Sequence, residues 1–238
     1  MLSPLEWEAI ALSLRVAFWA VLVSLPLAVA VAWLLARASF PGRSLVDAIV
    51  HTPLVIPPVA IGYILLLLFG RTGPIGVWLD SWFGITLVFT WEGASLAAAV
   101  VSFPLMVRAI RLSIDALDPG LEQAARTLGA GPVWTFFTIS LPLIWPGVLA
   151  GVVLAFARCL GEFGATITFA SNIPGETRTL PLALYTLIEV PGQEGGAMRL
   201  MVISVVIAVL ALLASEVLAR RVRARLDGAR AWAGLPSM

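Results

Sequence analysis

Five apolar stretches dominate this chain of 238 residues: 9–36, 45–69, 93–112, 142–169 and 198–219. Each holds the roughly 20 predominantly apolar residues that a helix needs to cross a hydrocarbon core. A backbone in lipid must satisfy its own polar groups, so stretches of this kind specify helices. The expected fold class is therefore all-α: a polytopic membrane protein of about five spans, read as one transmembrane domain over residues 1–238. Composition supports that class. Charged residues make up 12% of the chain and apolar ones 60%, against about 25% and 45–50% in soluble domains. Disordered and nucleic-acid-binding proteins are excluded, and too few polar residues remain to cover a soluble globule.

The first ten residues carry Glu6 and Glu8 and no basic residue. A secretory signal needs a positive n-region and a small-residue cleavage site, so residues 9–36 are expected to stay as the first span. Cys159 is the single cysteine and lies inside an apolar run, which rules out a disulfide framework within the chain.

Arginine placement predicts orientation. Arg37 and Arg43 follow the first stretch, Arg108, Arg111 and Arg126 lie at or after the end of the third, and Arg220, Arg221, Arg223, Arg225 and Arg230 follow the fifth. The opposite connections carry Arg71, Arg178 and Arg199 among several carboxylates. The arginine-rich side is expected to be cytoplasmic, with the N-terminus outside, a cytoplasmic loop at 113–141 and a basic C-terminal tail at 220–238. Residues 70–92, with Trp78, Trp82 and Trp91, are expected to lie at the interface, and the short apolar piece around 180–188 is expected to be a half-helix or interfacial helix rather than a sixth span.

The 113–141 loop carries the most specific pattern. Asp118-Pro119 is a helix start, with an acidic N-cap and proline at the first helical position, and Gly129 is a natural C′ residue. Leu121, Ala124, Ala125 and Leu128 recur at i, i+3, i+4 and i+7, one narrow apolar stripe. A helix of about ten residues is marginal alone in water, so a docking surface on another protein is one reading and rest on the membrane is the other. A second short helix is expected from Gly131-Pro132 to a break at Pro142.

Gln123-Ala124-Ala125, three residues, Gly129, nine residues, then Ile139-Ser140-Leu141-Pro142 resembles the loop of ABC importer permeases written Glu-Ala-Ala-x3-Gly-x9-Ile-x-Leu-Pro. That resemblance implies a coupling helix seated in a cleft of an ATP-hydrolysing subunit. The residues it assigns to ATPase coupling are Leu121, Glu122, Gln123, Ala124, Ala125, Leu128 and Gly129. Gln123 stands where the family has glutamate, so any ionic contact there is absent or has moved to Glu122. Residues 103–111, 154–169 and 171–179 are similar to the molybdate permeases of this family, and the similarity runs over nearly the whole chain. It implies a homodimer in the inner membrane, two copies of an ATP-binding subunit, and a periplasmic molybdate-binding protein. It does not separate molybdate from tungstate. A sulfate-type oxyanion permease and a secondary transporter remain open as alternatives.

Arg158 and Glu162 are four apart near the middle of the fourth stretch and share one helix face. Charges at that depth face protein or a water-filled cavity, so the pair is either an internal neutralised lock or part of a translocation path. Pro53, Pro57 and Pro58 must kink the second stretch, and Pro57 and Pro58 are candidate path residues; Pro104 in the third stretch reads the same way. Gly147, Gly151, Gly161 and Gly164 form a small face, suited either to close packing within the chain or to a dimer axis, and the resemblance favours the dimer axis. His51, the sole histidine, reads as structural. The sequence has no lysine and hence no Gly-x4-Gly-Lys phosphate loop. With no metal cluster and no nucleophile–base motif, the chain is expected to be neither an enzyme nor a cofactor binder.

Overall fold

The computed structural model describes the backbone of residues 3–232 and side chains for residues 3–214 and Val217. The side chains of Arg220, Arg221, Arg223, Arg225 and Arg230 lie outside the described residues, as does the end of the basic tail. The described chain is helical throughout, without a strand. In order, its helices are α1 (Pro4–Arg37), α2 (Arg43–His51), α3 (Pro58–Phe69), α4 (Pro74–Phe83), α5 (Trp91–Asp115), α6 (Pro119–Thr127), α7 (Pro132–Thr135), α8 (Leu141–Leu160), α9 (Gly164–Phe169), α10 (Leu180–Glu189) and α11 (Glu194–Trp232). Among the described residues four helices are long and apolar enough to cross a membrane, or five if the bent pair formed by α2 and α3 counts as one span.

α1 starts on a capping box: Ser3 Oγ accepts from the Glu6 N–H, and the Glu6 carboxylate accepts from the Ser3 N–H at 2.6 Å. Its inward stripe of Ala17, Ala20, Ala28 and Ala32 packs against Ala94 and Ala98 of α5, and Ile144 and Ala155 of α8 complete the cluster. Small residues let three backbones approach closely, which is how apolar helices associate where lipid offers no hydrophobic drive. A second cluster joins α3, α5 and α9 through Ile61, Leu65, Ala97, Val101, Ala165 and Phe169.

Three expectations need correcting. The second stretch is not one continuous helix but two, meeting at 112°. A residue before proline is pushed out of the α region; Pro57, which precedes Pro58, sits at φ −54°, ψ 133° and ends the helical path. The fourth stretch is also broken, between α8 and α9, with Gly161, Glu162 and Phe163 outside both helices. The break expected at Pro142 is absent, because residues 132–160 run as one long helix. A π turn at Phe136–Ser140 widens the coil just before that proline, relieving the clash its ring would otherwise cause. The third stretch stays one helix, with Pro104 inside α5.

Of the small face, Gly147, Gly151 and Gly164 pack against neighbouring helices of the chain, while Gly161 meets nothing within 4 Å. A Cβ on Gly147 would run into Ser113, one on Gly151 would lie 3.1 Å from the Met106 carbonyl, and one on Gly164 would lie 3.0 Å from Pro58. These contacts set α8 antiparallel to α5. Cys159 Sγ, 3.2 Å from Ser102 Oγ and 3.6 Å from the Ala98 carbonyl, marks the level of the middle of α5.

Candidate functional site

Two places gather the residues singled out from the sequence: the end of the bundle that carries Arg37, Arg111 and Arg126, and the mid-level break.

At the basic end, α6 is a short helix with both termini closed. Asp118 Oδ1 accepts from the Gly120 N–H at 2.8 Å, and Pro119 needs no donor there. At the other terminus Gly129 adopts φ +85°, a conformation costly for residues with a Cβ, and Ala130 N–H returns to the Ala125 carbonyl while Gly129 N–H reaches Arg126. Those two bonds make a Schellman closure. The helix divides the assigned coupling residues. Leu121, Gln123, Ala124, Leu128 and Gly129 face outward, whereas Glu122 and Ala125 are buried beneath. Leu128 is 89% exposed, so the open face is leucine-edged and not only alanine-lined. With Trp134 and Ile139 it walls a shallow concavity of about 670 Å³.

Under α6, Glu122 Oε1 lies 3.4 Å from Arg37 Nη2 and accepts from Ser140 Oγ at 3.2 Å. The same Arg37 nitrogen donates to the Leu117 carbonyl at 3.0 Å. Trp33 meets Phe136 edge-on at 4.9 Å, so the last turns of α1 and the π turn before α8 are packed together beside this cluster. Nearby, Arg111 Nη1 binds Asp47 at 2.9 Å, tying α5 to α2, and His51 Nδ1 lies 2.8 Å from the Asp47 carbonyl. Sequence reasoning counted Arg37 and Arg111 only as orientation charges and did not single out Ser140 or Asp47. Their separations of 85, 64 and 18 positions from their partners carry no local signal.

At mid-level the two broken helices meet. Gly164, which opens α9, abuts Pro58 and Val59 at the start of α3, so Pro57 and Pro58 lie beside the Gly161–Phe163 break. Glu162 Oε1 accepts from the Ala165 N–H at 2.8 Å, taking the donor that a continuous helix would return to the carbonyl of Gly161. A carboxylate competing with the backbone ladder thus accompanies the break. The other oxygen lies 2.7 Å from Arg158 Nη1 but off its N–H directions, an ion pair without a directed hydrogen bond. Glu162 is 2% exposed and Arg158 31%. Discontinuous helices that meet near the midplane are a recurring way for transporters to expose polar backbone to a cargo.

At the opposite end, Ser171 adopts φ +68° and starts a loop held from within. Asn172 donates to Thr186 Oγ1, Arg178 donates to Asn172 Oδ1, and Thr177 Oγ1 accepts from the Ile173 N–H, each at 2.9 Å. Among the described residues no three His, Cys, Asp or Glu side chains converge as a metal set.

Residues 24–226 match the family described as binding-protein-dependent transport system inner membrane components. The chain belongs to this family. It is therefore a multi-pass component of the inner membrane and part of a transport system, not an enzyme. Among inner membrane components of this kind, it is 61% identical over 225 residues to the molybdenum transport system permease protein ModB of Escherichia coli K12, covering 94% of this chain and 98% of that protein. It is 37% identical over 207 residues to the sulfate transport system permease protein CysW of Synechocystis, covering 84% of this chain and 73% of that one. The fold matches a chain in the crystal structure of a bacterial alginate ABC transporter in complex with a periplasmic protein bound to an alginate pentasaccharide. That match has a TM-score of 0.73 at 19% identity and covers 92% of this chain and 80% of the other.

Proposed function

We propose that this chain is the membrane-spanning permease of an ABC importer that carries molybdate, and the like-shaped tungstate, across the cytoplasmic membrane. The observation that carries the cargo is the 61% identity to a molybdenum permease over 94% of the chain. ATP is hydrolysed on a separate subunit. Two copies of the permease form the path, two ATPase subunits dock at the two α6 helices, and a periplasmic molybdate-binding protein delivers cargo to the opposite end. The arginine-rich end is cytoplasmic, the N-terminus is outside and the C-terminus inside.

The coupling platform supports this arrangement. An exposed concavity edged by Leu121, Ala124, Leu128 and Trp134 sits at the end richest in arginine. It is pre-closed by its own caps, so a partner seated there spends little on ordering it. The mid-level break supplies the path. Arg158 offers a cationic step to a dianionic oxyanion, and Glu162 keeps that step weak enough for release. Pro57 and Pro58 hold the facing helix start open beside it.

Reconstitution with the ATPase and the binding protein tests the proposal. Uptake of molybdate should depend on ATP and should persist in a large excess of sulfate. Sulfate uptake competing on equal terms would favour the sulfate reading suggested by the 37% relative. Gradient-driven uptake by this chain without any ATPase would overturn the whole proposal. Leu128→Asp should leave the permease folded, because that side chain is 89% exposed, yet abolish co-purification of the ATPase; retention of the ATPase would refute the docking face.

A further inference from the structure

We propose that Glu122 is the strut that passes movement of α6 into the bundle, with Arg37 and Ser140 as its two footings. This rests on the coupling reading above and assigns Glu122 a role within the chain, not at the partner's surface.

Placement is the first reason. Among the ionisable side chains of α6, Glu122 is the one that points into the bundle, while Arg126 is exposed. The footings are the second. Arg37 is the last residue of α1, and Ser140 closes the π turn that leads into α8. One carboxylate oxygen touches both, at 3.4 and 3.2 Å. Arg37 also holds the Leu117 carbonyl in the linker that enters α6, so helix and linker are fixed to the same guanidinium. α1 and α8 are walls of the main core cluster, and α8 ends at the break beside Arg158 and Glu162.

The chemistry gives the third reason. Replacing a buried ion pair with apolar groups of like size is often neutral or stabilising, so such a pair is weak evidence for stability alone. What it adds is direction. Apolar packing would let α6 slide across the bundle, whereas a carboxylate held at two points moves only with its partners. The π turn beneath it is a five-residue local widening, an element that can tighten or shift register without unfolding the helices on either side.

The test uses the assembled transporter in proteoliposomes with its ATPase and binding protein, reading bound ATPase, ATP hydrolysis and molybdate uptake separately. Glu122→Gln should leave the ATPase bound and hydrolysis within about twofold, while uptake per ATP falls about tenfold. Ser140→Ala removes one footing without stranding a charge, and should lower uptake per ATP about threefold at an unchanged melting temperature. The exchange Glu122→Arg with Arg37→Glu should recover part of the uptake that either single change loses. The strut is overturned if both Glu122→Gln and Ser140→Ala transport normally, or if uptake and ATPase binding fall together. If Glu122→Gln does not assemble, Ser140→Ala decides. Failure of the coupling reading itself shows differently: Leu128→Asp would then keep its ATPase.

Discussion

Glu122 and Glu162 are both buried and each meets an arginine, yet they are wired differently. The arginine of Glu122 lies 85 positions away and its serine 18 away, so that pair commits α1, α6 and the head of α8 to one geometry. The arginine of Glu162 is four positions away, with its second oxygen on Ala165 three positions on. That pair commits only its own turn of chain. A long-range pair can transmit displacement between elements. A local pair can open toward a passing ion while the helices around it keep their packing. Under the function proposed above, the first pair would sit where force enters and the second where cargo passes.

Removing the arginines separates the two cases most strongly. Arg37→Ala strands a buried carboxylate and frees the Leu117 carbonyl, so it should cost about 3 kcal/mol of stability. A double change, Arg37→Met with Glu122→Leu, should recover most of that loss. Arg158→Met also strands a buried carboxylate, but Arg158 is nearly a third exposed and Glu162 keeps its bond to the Ala165 N–H, so the loss should be smaller, about 2 kcal/mol. Its main effect should fall on uptake. Melting curves of the purified permease in detergent measure both, and equal losses would erase the distinction.

Next in size is the cause of the mid-level break. Gly62 of α3 faces the start of α9 so closely that a Cβ there would lie 2.6 Å from the Ala165 carbonyl. Gly62→Ala must therefore push two backbones apart, at about 2 kcal/mol. A Cβ on Gly161 would meet nothing within 4 Å, and its φ of −94° suits any residue. Gly161→Ala should be silent within about 0.5 kcal/mol, whereas Glu162→Ala should cost more by releasing the Ala165 N–H. If Gly161→Ala proved the damaging one, glycine and not the carboxylate would hold the break.

This explains which features were legible in the sequence. The apolar stretches, the caps of α6 and the i,i+4 relation of Arg158 and Glu162 are set by residues within a turn or two of each other, and such patterns can be read directly. The 112° bend was foreseen only as a kink, since prolines remove donors without saying how far the chain turns. The break at Gly161–Phe163 was missed because a glutamate in an apolar run reads as a charge and not as a competitor for a backbone N–H. The small face announced close packing but not its partners, since Ser113, Met106 and Pro58, which Gly147, Gly151 and Gly164 meet, lie tens of positions away. The footings of Glu122 were invisible, for nothing near residue 37 or 140 points to residue 122.

The smallest effect is expected at a third pair, and it tests whether distance along the chain is what matters. Arg199 of α11 reaches Glu6 of α1 across 193 positions, at 2.9 Å through Nη2 and 3.2 Å through Nε. By sequence separation it should rank with Arg37 and Glu122. Its setting differs: Arg199 is 51% exposed, and Glu6 keeps the Ser3 N–H at 2.6 Å whether or not the arginine is present. Solvent screens the exposed partner and the capping box holds the carboxylate, so Arg199→Gln should cost under about 1 kcal/mol. Added salt should narrow even that difference. A loss as large as that of Arg37→Ala, measured in the same melting experiment, would mean that separation and not burial ranks these pairs, and that the end of the bundle bearing Glu6 is as firmly latched as the end bearing α6.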